Sequence, residues 1–141
     1  MNFGLKFNEH KKTLQVRIMK KSKGQLEAEI STAVTKFEKD YIGRGPKESK
    51  SFIIEDMVII RLKGILTPAE EKLAVEDGGA QLIKQMRMRL IDSSQKLLEE
   101  IIEEITGQKV SSLLTDINPK SGERIFIFTL PQNLENQLLK K

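Results

Sequence analysis

Cysteine and tryptophan are absent from this 141-residue chain, histidine and tyrosine occur once each, and aromatics make up only 5%. Without Cys there is no disulfide framework, no thiolate zinc site and no thiol nucleophile, and a reducing compartment is compatible with that usage. The single His, His10, lies near the amino end, so a transition-metal cluster or an imidazole base in the body of the chain is not expected. No apolar run approaches the roughly 20 residues that a membrane-spanning helix requires, and the amino end lacks the apolar core of a secretory signal. A cytoplasmic location is therefore expected.

Signatures for phosphate and nucleic acid are missing too. Gly43-Arg44-Gly45-Pro46 fits neither the dinucleotide nor the P-loop spacing, and no GXXG loop joins two helices as a KH module requires. Phe126 and Phe128 fall on an alternating strand where core packing accounts for them, rather than on an exposed stacking platform. Ser93-Ser94 and Ser111-Ser112 have no neighbouring group to activate them, so a non-enzyme without cofactor or metal is expected.

Charge is plentiful but unevenly placed. The net +4 and pI near 9.3 invite a nucleic-acid reading. Residues 1–18 carry four bases (Lys6, Lys11, Lys12, Arg17) against one acid, Glu9, which leaves 20 bases against 19 acids in the rest. The basic balance belongs to the amino-terminal segment, and nucleic acid is the disfavoured partner. That segment alternates too weakly to force a helix or a strand, so residues 1–18 are expected to be a poorly ordered extension. Gln15-Val16-Arg17 can be encoded by a purine-rich ribosome-binding sequence, which makes Met19 an expected start and 19–141 a single domain.

Along the body, Leu26, Ile30, Ala33, Val34, Phe37 and Tyr41 recur at helical spacing from Ser22 to Ile42, and Gly43 followed by Pro46 ends that helix. Ser51 to Lys63 reads as a β-hairpin turning at Glu55-Asp56, its second strand apolar on both faces as a central strand would be. Thr67-Pro68-Ala69-Glu70 is a capping box opening a short helix. A long helix is expected over Ala80 to Thr106, its stripe formed by Ile83, Met86, Leu90, Leu97, Ile101 and Ile105 with Leu82, Leu98 and Ile102 in support. Strands over Lys109 to Ile117 and Arg124 to Leu130 and a last helix over Gln132 to Leu139 complete the order α-β-β-α-α-β-β-α. The fold class is α+β, with two hairpins joined in a four-stranded antiparallel sheet packed with helices.

Three charge patterns invite chemistry. Arg44 on its stiff turn is either a solvated side chain or a guanidinium placed for a carboxylate, phosphate or bicarbonate. Glu99, Glu100, Glu103 and Glu104 read as a solvated face, with cation binding as the alternative. Lys84, Arg87 and Arg89 make the early half of the long helix basic, and its later half is acidic. Antiparallel pairing of two copies would match these halves, so a homodimer through that helix is expected.

The segments 23–30, 37–46, 61–70, 98–107 and 115–117 with 122–124 carry a resemblance to a family of small bacterial proteins named for a Na⁺-translocating membrane-potential-generating system (MpsC). The resemblance covers about Ser22 to Leu130, and family members look as though they start near Met19. It implies an accessory cytoplasmic protein tied to a membrane system that includes an antiporter-like subunit and is associated with Na⁺ transport and inorganic-carbon uptake. The expected function is thus a non-enzymatic accessory or regulatory subunit, with Arg44, Asp116 and Arg124 as candidate contacts for a partner or an anion. The alternative is a free-standing cytosolic regulator that binds nucleic acid or a small anion such as bicarbonate.

Overall fold

The computed structural model describes residues 20–140 together with Glu9, Lys12, Val16 and Ile18. The expectations about a loose segment 1–18 and a start at Met19 mostly fall outside the described residues, as does His10. Ile18 is described, and it is buried in the core.

Helix α1 (Lys23–Phe37) starts on a capping box in which the Ser22 hydroxyl accepts from the Gln25 N–H and the Gln25 side chain accepts from the Ser22 N–H. Its stripe Leu26, Ile30, Val34 and Phe37 is buried. The helix then widens into a π-helical turn, Glu38–Ile42, closed by the Gly43 N–H donating to the Glu38 carbonyl at 3.0 Å. Gly43 sits at φ 105°, the left-handed position expected of it.

Strands β1 (Glu48–Ile54) and β2 (Met57–Lys63) form the first hairpin, and β3 (Ser112–Asn118) and β4 (Glu123–Thr129) the second. They join as one antiparallel sheet in the order β1-β2-β4-β3, so β2 is central as its two apolar faces require. The first turn lacks the residues that favour a two-residue hairpin, and Glu55 takes a positive φ of 55°. Helix α4 (Leu134–Leu139) compensates. The Glu135 carboxylate accepts from the Glu55 N–H at 3.0 Å, its own N–H donates to the Glu55 carbonyl, and Lys23 pairs with the same carboxylate at 2.9 Å.

One face of the sheet carries the core. Ile53, Val58, Ile60, Leu62, Phe126 and Phe128 are buried there against α1 and against the long helix α3 (Gly79–Thr106). The stripe of α3 differs from the expected one. Ile83, Arg87, Ile91, Leu98, Ile102 and Thr106 face inward, whereas Met86 is 47% and Leu82 57% exposed, and Leu90, Leu97, Ile101 and Ile105 are half-buried. The physical reason is Arg87: a guanidinium takes an interior position because a carboxylate meets it there, which rotates the buried stripe away from the purely apolar one.

The short helix α2 (Pro68–Ala74) opens on the predicted capping box, Thr67 with Glu70, and turns sharply into α3 at Gly78-Gly79. At Gly79 the backbone passes so close to the Leu73 carbonyl oxygen that a Cβ would overlap it. Gly79→Ala should therefore destabilise the protein by about 2 to 3 kcal/mol through forced displacement of this corner. Urea unfolding checks it, and a loss under about 0.5 kcal/mol would mean that the corner is pliable.

Candidate functional site

The interior between α1, α3 and the sheet holds an unusual set of charges. Glu38 on the π-helical turn is 1% exposed, Arg87 on α3 is 5% exposed and Arg124 on β4 is 3% exposed. Side chains of this kind are seldom fully buried unless paired. Arg87 is well paired: Nε donates to Glu70 Oε2 at 2.9 Å, and Nη2 to Glu70 Oε1 at 2.7 Å and to the Ile65 carbonyl at 3.0 Å. Burial pushes the Glu70 carboxyl up, but the Arg87 bonds and the Thr67 cap outweigh it and hold Glu70 below the usual range. The capping glutamate of α2 is thus also the counter-ion of α3.

Arg124 and Glu38 are less completely satisfied. Arg124 Nη1 donates to the Thr115 hydroxyl at 2.8 Å, and the guanidinium lies 5.4 Å from the centre of the Phe126 ring. Glu38 Oε1 is buried without a hydrogen-bond partner among the described residues. Burial raises the Glu38 pKa, and the nearby positive charges of Arg124 and Arg87 only partly offset this. Burial likewise lowers Arg124, with Glu38 opposing. Widened turns of the π type are frequent at functional positions, and here the widening lies where a carboxyl enters the core.

Arg124 also lines a small cavity of about 40 Å³ with Lys84, Met88, Ile91, Asp92, Thr115 and Asp116. At its mouth Lys84 and Asp116 pair at 3.2 Å across the edge of β3. Asp116 is held below the usual carboxylate range first by the Ile117 N–H and then by Lys84.

The three sequence-selected residues are therefore split. Asp116 and Arg124 come together around this cavity, Asp116 exposed and Arg124 interior. Arg44 lies apart, half-exposed in the turn after Gly43, sharing no hydrogen bond or ion pair with either among the described residues. Arg124 as placed here offers no guanidinium to a macromolecular partner. Of the three cations expected to pair with a second α3, Lys84 and Arg87 are engaged within the chain, which leaves Arg89 and weakens the helix-pairing argument. Among the described residues, no three His, Asp or Glu side chains gather in a way that could hold a metal ion, Glu99 to Glu104 included.

Glu38 was not singled out from the sequence, and Arg87 was read there only as part of the basic half of the long helix. Arg87 carried a signal, since it falls four residues after Ile83 and four before Ile91 on the buried line. Glu38 carried none, because the widened turn that directs it inward has no sequence mark.

The outer line of α3 is apolar as well. Leu82 and Met86 lead to Leu90 and Leu97, which border a surface groove of about 460 Å³ together with exposed Tyr41, Ser93 and Glu100. No described helix is long and apolar enough to cross a membrane.

Fold and site together define a small α+β protein with a four-stranded antiparallel sheet, helices on one sheet face, a sealed charge cluster and an apolar groove on its long helix. The chain belongs to the MpsC family: residues 22–132 match the model described as Na⁺-translocating membrane potential-generating system (MpsC). It is 48% identical over 122 residues to the uncharacterized protein YbcI of Bacillus subtilis (strain 168), covering 86% of this chain and 98% of that one. It is 26% identical over 110 residues to the uncharacterized protein YrhF of the same organism, covering 77% and 90%. Neither description names a reaction. No solved structure gives a significant match.

Proposed function

We propose that this protein is a non-enzymatic accessory or regulatory subunit of a Na⁺-linked membrane-potential-generating or inorganic-carbon uptake system, acting from the cytoplasm or the inner face of the membrane. Residues 19–141 act in this reading as one domain, to whose core Ile18 also contributes. Family membership supports the link to a Na⁺-linked membrane system, and the observation that carries the docking role is the apolar outer line of α3. Leu82, Met86, Leu90 and Leu97 repeat at helical spacing beside the Tyr41 groove, a shape suited to the apolar side of an amphipathic segment. Arg44 lies in the turn after Gly43, three residues beyond Tyr41, and in this reading supplies a guanidinium for a carboxylate on that segment. The partner is an antiporter-like membrane subunit, contacted through a cytoplasmic stretch.

Affinity capture of the tagged protein from gently solubilised native membranes tests this. Recovery of an antiporter-like subunit is expected, with about a tenfold or greater loss in Leu82→Lys/Met86→Lys, whose exposed positions leave the fold intact. Recovery unchanged in the variant would remove α3 from the interface. Recovery of no membrane subunit would defeat the reading.

A further inference from the structure

The sheet has a second face, and its composition is not that of a solvated surface. Side chains alternate between faces, so the residues opposite the core are set by the register. Across the four strands in spatial order, one row reads Phe52, Ile59, Ile127, Leu114. All four are apolar, and Leu114 is 67% exposed. The row on one side reads Ile54, Met57, Thr129, Ser112. On the other side comes Lys50, Arg61, Ile125, Asp116, and beyond it Glu48, Lys63, Glu123, Asn118. No described helix lies against this face, which carries an apolar band bounded by a charged one.

We propose that this open face binds the same face of a second copy of the chain about a twofold axis running along the strands between β2 and β4. The proposal does not rest on the membrane-subunit reading, because the core-bearing side of the sheet, with α1 and α3, lies away from this face.

The argument is the self-complementarity that the register creates. Such an axis leaves each row over itself and exchanges β1 with β3 and β2 with β4. Phe52 then meets Leu114 of the partner subunit, and Ile59 meets Ile127 of the partner subunit. In the charged rows Lys63 meets Glu123 of the partner subunit, and Lys50 meets Asp116 of the partner subunit. Each contact occurs twice, and no like charges are superposed. Arg61 alone among the cations falls over an apolar side chain, Ile125 of the partner subunit. An axis across the strands through the apolar row would instead set Ile54 over Lys50 of the partner subunit and Met57 over Arg61 of the partner subunit, leaving two cations of each copy against apolar side chains and none against an acid in those rows.

Within one copy Asp116 pairs with Lys84 at 3.2 Å but keeps 77% of its side chain exposed, and the other charges are loosely held. Lys63 lies 3.9 Å and Lys50 3.4 Å from Glu48, all three well exposed, while Arg61 pairs with Glu123 at 3.1 Å. Exposed pairs of this type contribute little and can be shared with a partner chain. Four strands at about 4.8 Å spacing and seven residues at about 3.4 Å give a face of roughly 19 by 24 Å in projection. That is small against the roughly 800 Å² per partner of a standard interface, so association in the micromolar range is expected.

Sedimentation velocity of the full chain from about 1 µM to about 300 µM reads the result. A reversible monomer–dimer equilibrium is expected, abolished by Leu114→Lys and by Phe52→Lys, with melting temperatures showing that these variants remain folded. Lys63→Glu and Glu123→Lys should each weaken self-association by roughly tenfold, since two like-charge contacts replace two attractive ones. An equimolar mixture of the two should restore it, because both contacts in the mixed dimer pair opposite charges. A chain that stays monomeric at all these concentrations, a dimer indifferent to Leu114→Lys and Phe52→Lys, or folded charge variants whose mixture fails to recover association would each overturn the proposal. If Glu123→Lys does not fold, the two apolar-to-lysine variants decide the question alone.

Discussion

Arg87→Ala is expected to lower the unfolding free energy by about 3 to 5 kcal/mol, an effect as large as emptying a core position. The size follows from what is left behind. Glu70 remains in place as the cap of α2, nearly buried, and loses both guanidinium bonds at 2.7 and 2.9 Å, while the Ile65 carbonyl loses its donor at 3.0 Å. A carboxylate deprived of its counter-ion in the interior is costly, whereas a pair removed together is much less so. The double variant Arg87→Met/Glu70→Gln keeps the volume and the capping geometry, and it should cost less than the two single changes added together by about 1 to 3 kcal/mol. Urea unfolding of Arg87→Ala, and of the wild type, Arg87→Met, Glu70→Gln and the double variant as a cycle, checks this. A single-variant loss below about 1 kcal/mol would show that α2 and α3 hold together without the pair.

The pair also predicts a pH dependence of known sign. The folded Glu70 carboxyl is held below its ordinary value, so the unfolded chain takes up its proton first as the solution is acidified. Its stabilisation is present above the unfolded pKa and is lost as pH falls through the folded one. The acid limb of the stability curve should accordingly be shallower in the double variant than in the wild type.

Arg124→Met carries the second large effect, about 3 kcal/mol at pH 7, and the carboxyl it faces, Glu38, contributes to stability with a pH dependence opposite to that of Glu70. Glu38 is raised by burial, with Arg124 and Arg87 offsetting only part of that, so it already binds its proton more tightly folded than unfolded. A group of this kind contributes stability below its unfolded pKa and loses it as pH rises through the folded pKa. Removing Arg124 takes away a positive charge that favours the carboxylate, which raises Glu38 further and deepens the loss at neutral pH. At pH 4.5, with the raised Glu38 carboxyl more protonated than at pH 7, the penalty should shrink in the direction of about 1 kcal/mol, the value of the Thr115 hydrogen bond. Adding Glu38→Gln to Arg124→Met should flatten the difference between the two pH values. An Arg124→Met penalty equal at pH 4.5 and pH 7 would show that Glu38 and Arg124 do not sense each other.

These variants bear on the division of the molecule into a supporting part and a contacting part. Arg124 began as a candidate contact residue and turns out to be interior, where it balances Glu38. Asp116 is exposed at the edge of the open sheet face, and Arg44 is half-exposed in the turn after Gly43. Altering Arg124 should thus act through stability, and altering Asp116 or Arg44 through association.

Legibility in the sequence followed the range of the interaction. Helix starts at Ser22 and Thr67, the stop at Gly43 and the hairpin at Glu55-Asp56 were readable because hydrogen bonds within a few residues decide them. The alternation in β4 marked Phe126 and Phe128 as core, and the two apolar faces of β2 marked it as central. Even there, the unfavourable Glu55 turn is held by Glu135, 80 residues away, which no local rule contains.

The order of elements, the antiparallel hairpins and the buried apolar strands are properties that composition and periodicity determine by themselves, since each depends on solvent avoidance along a local repeat. Three features belong to the tertiary structure alone: the pairing of Arg87 with Glu70, the inward path of Glu38 through a widened turn toward Arg124, and the pairing of Lys84 with Asp116 across the edge of β3. Each joins charges far apart in the chain. Whether a charged side chain is buried or displayed depends on which opposite charge the fold brings within a few ångströms, and that distance exists only once the sheet and helices are in place.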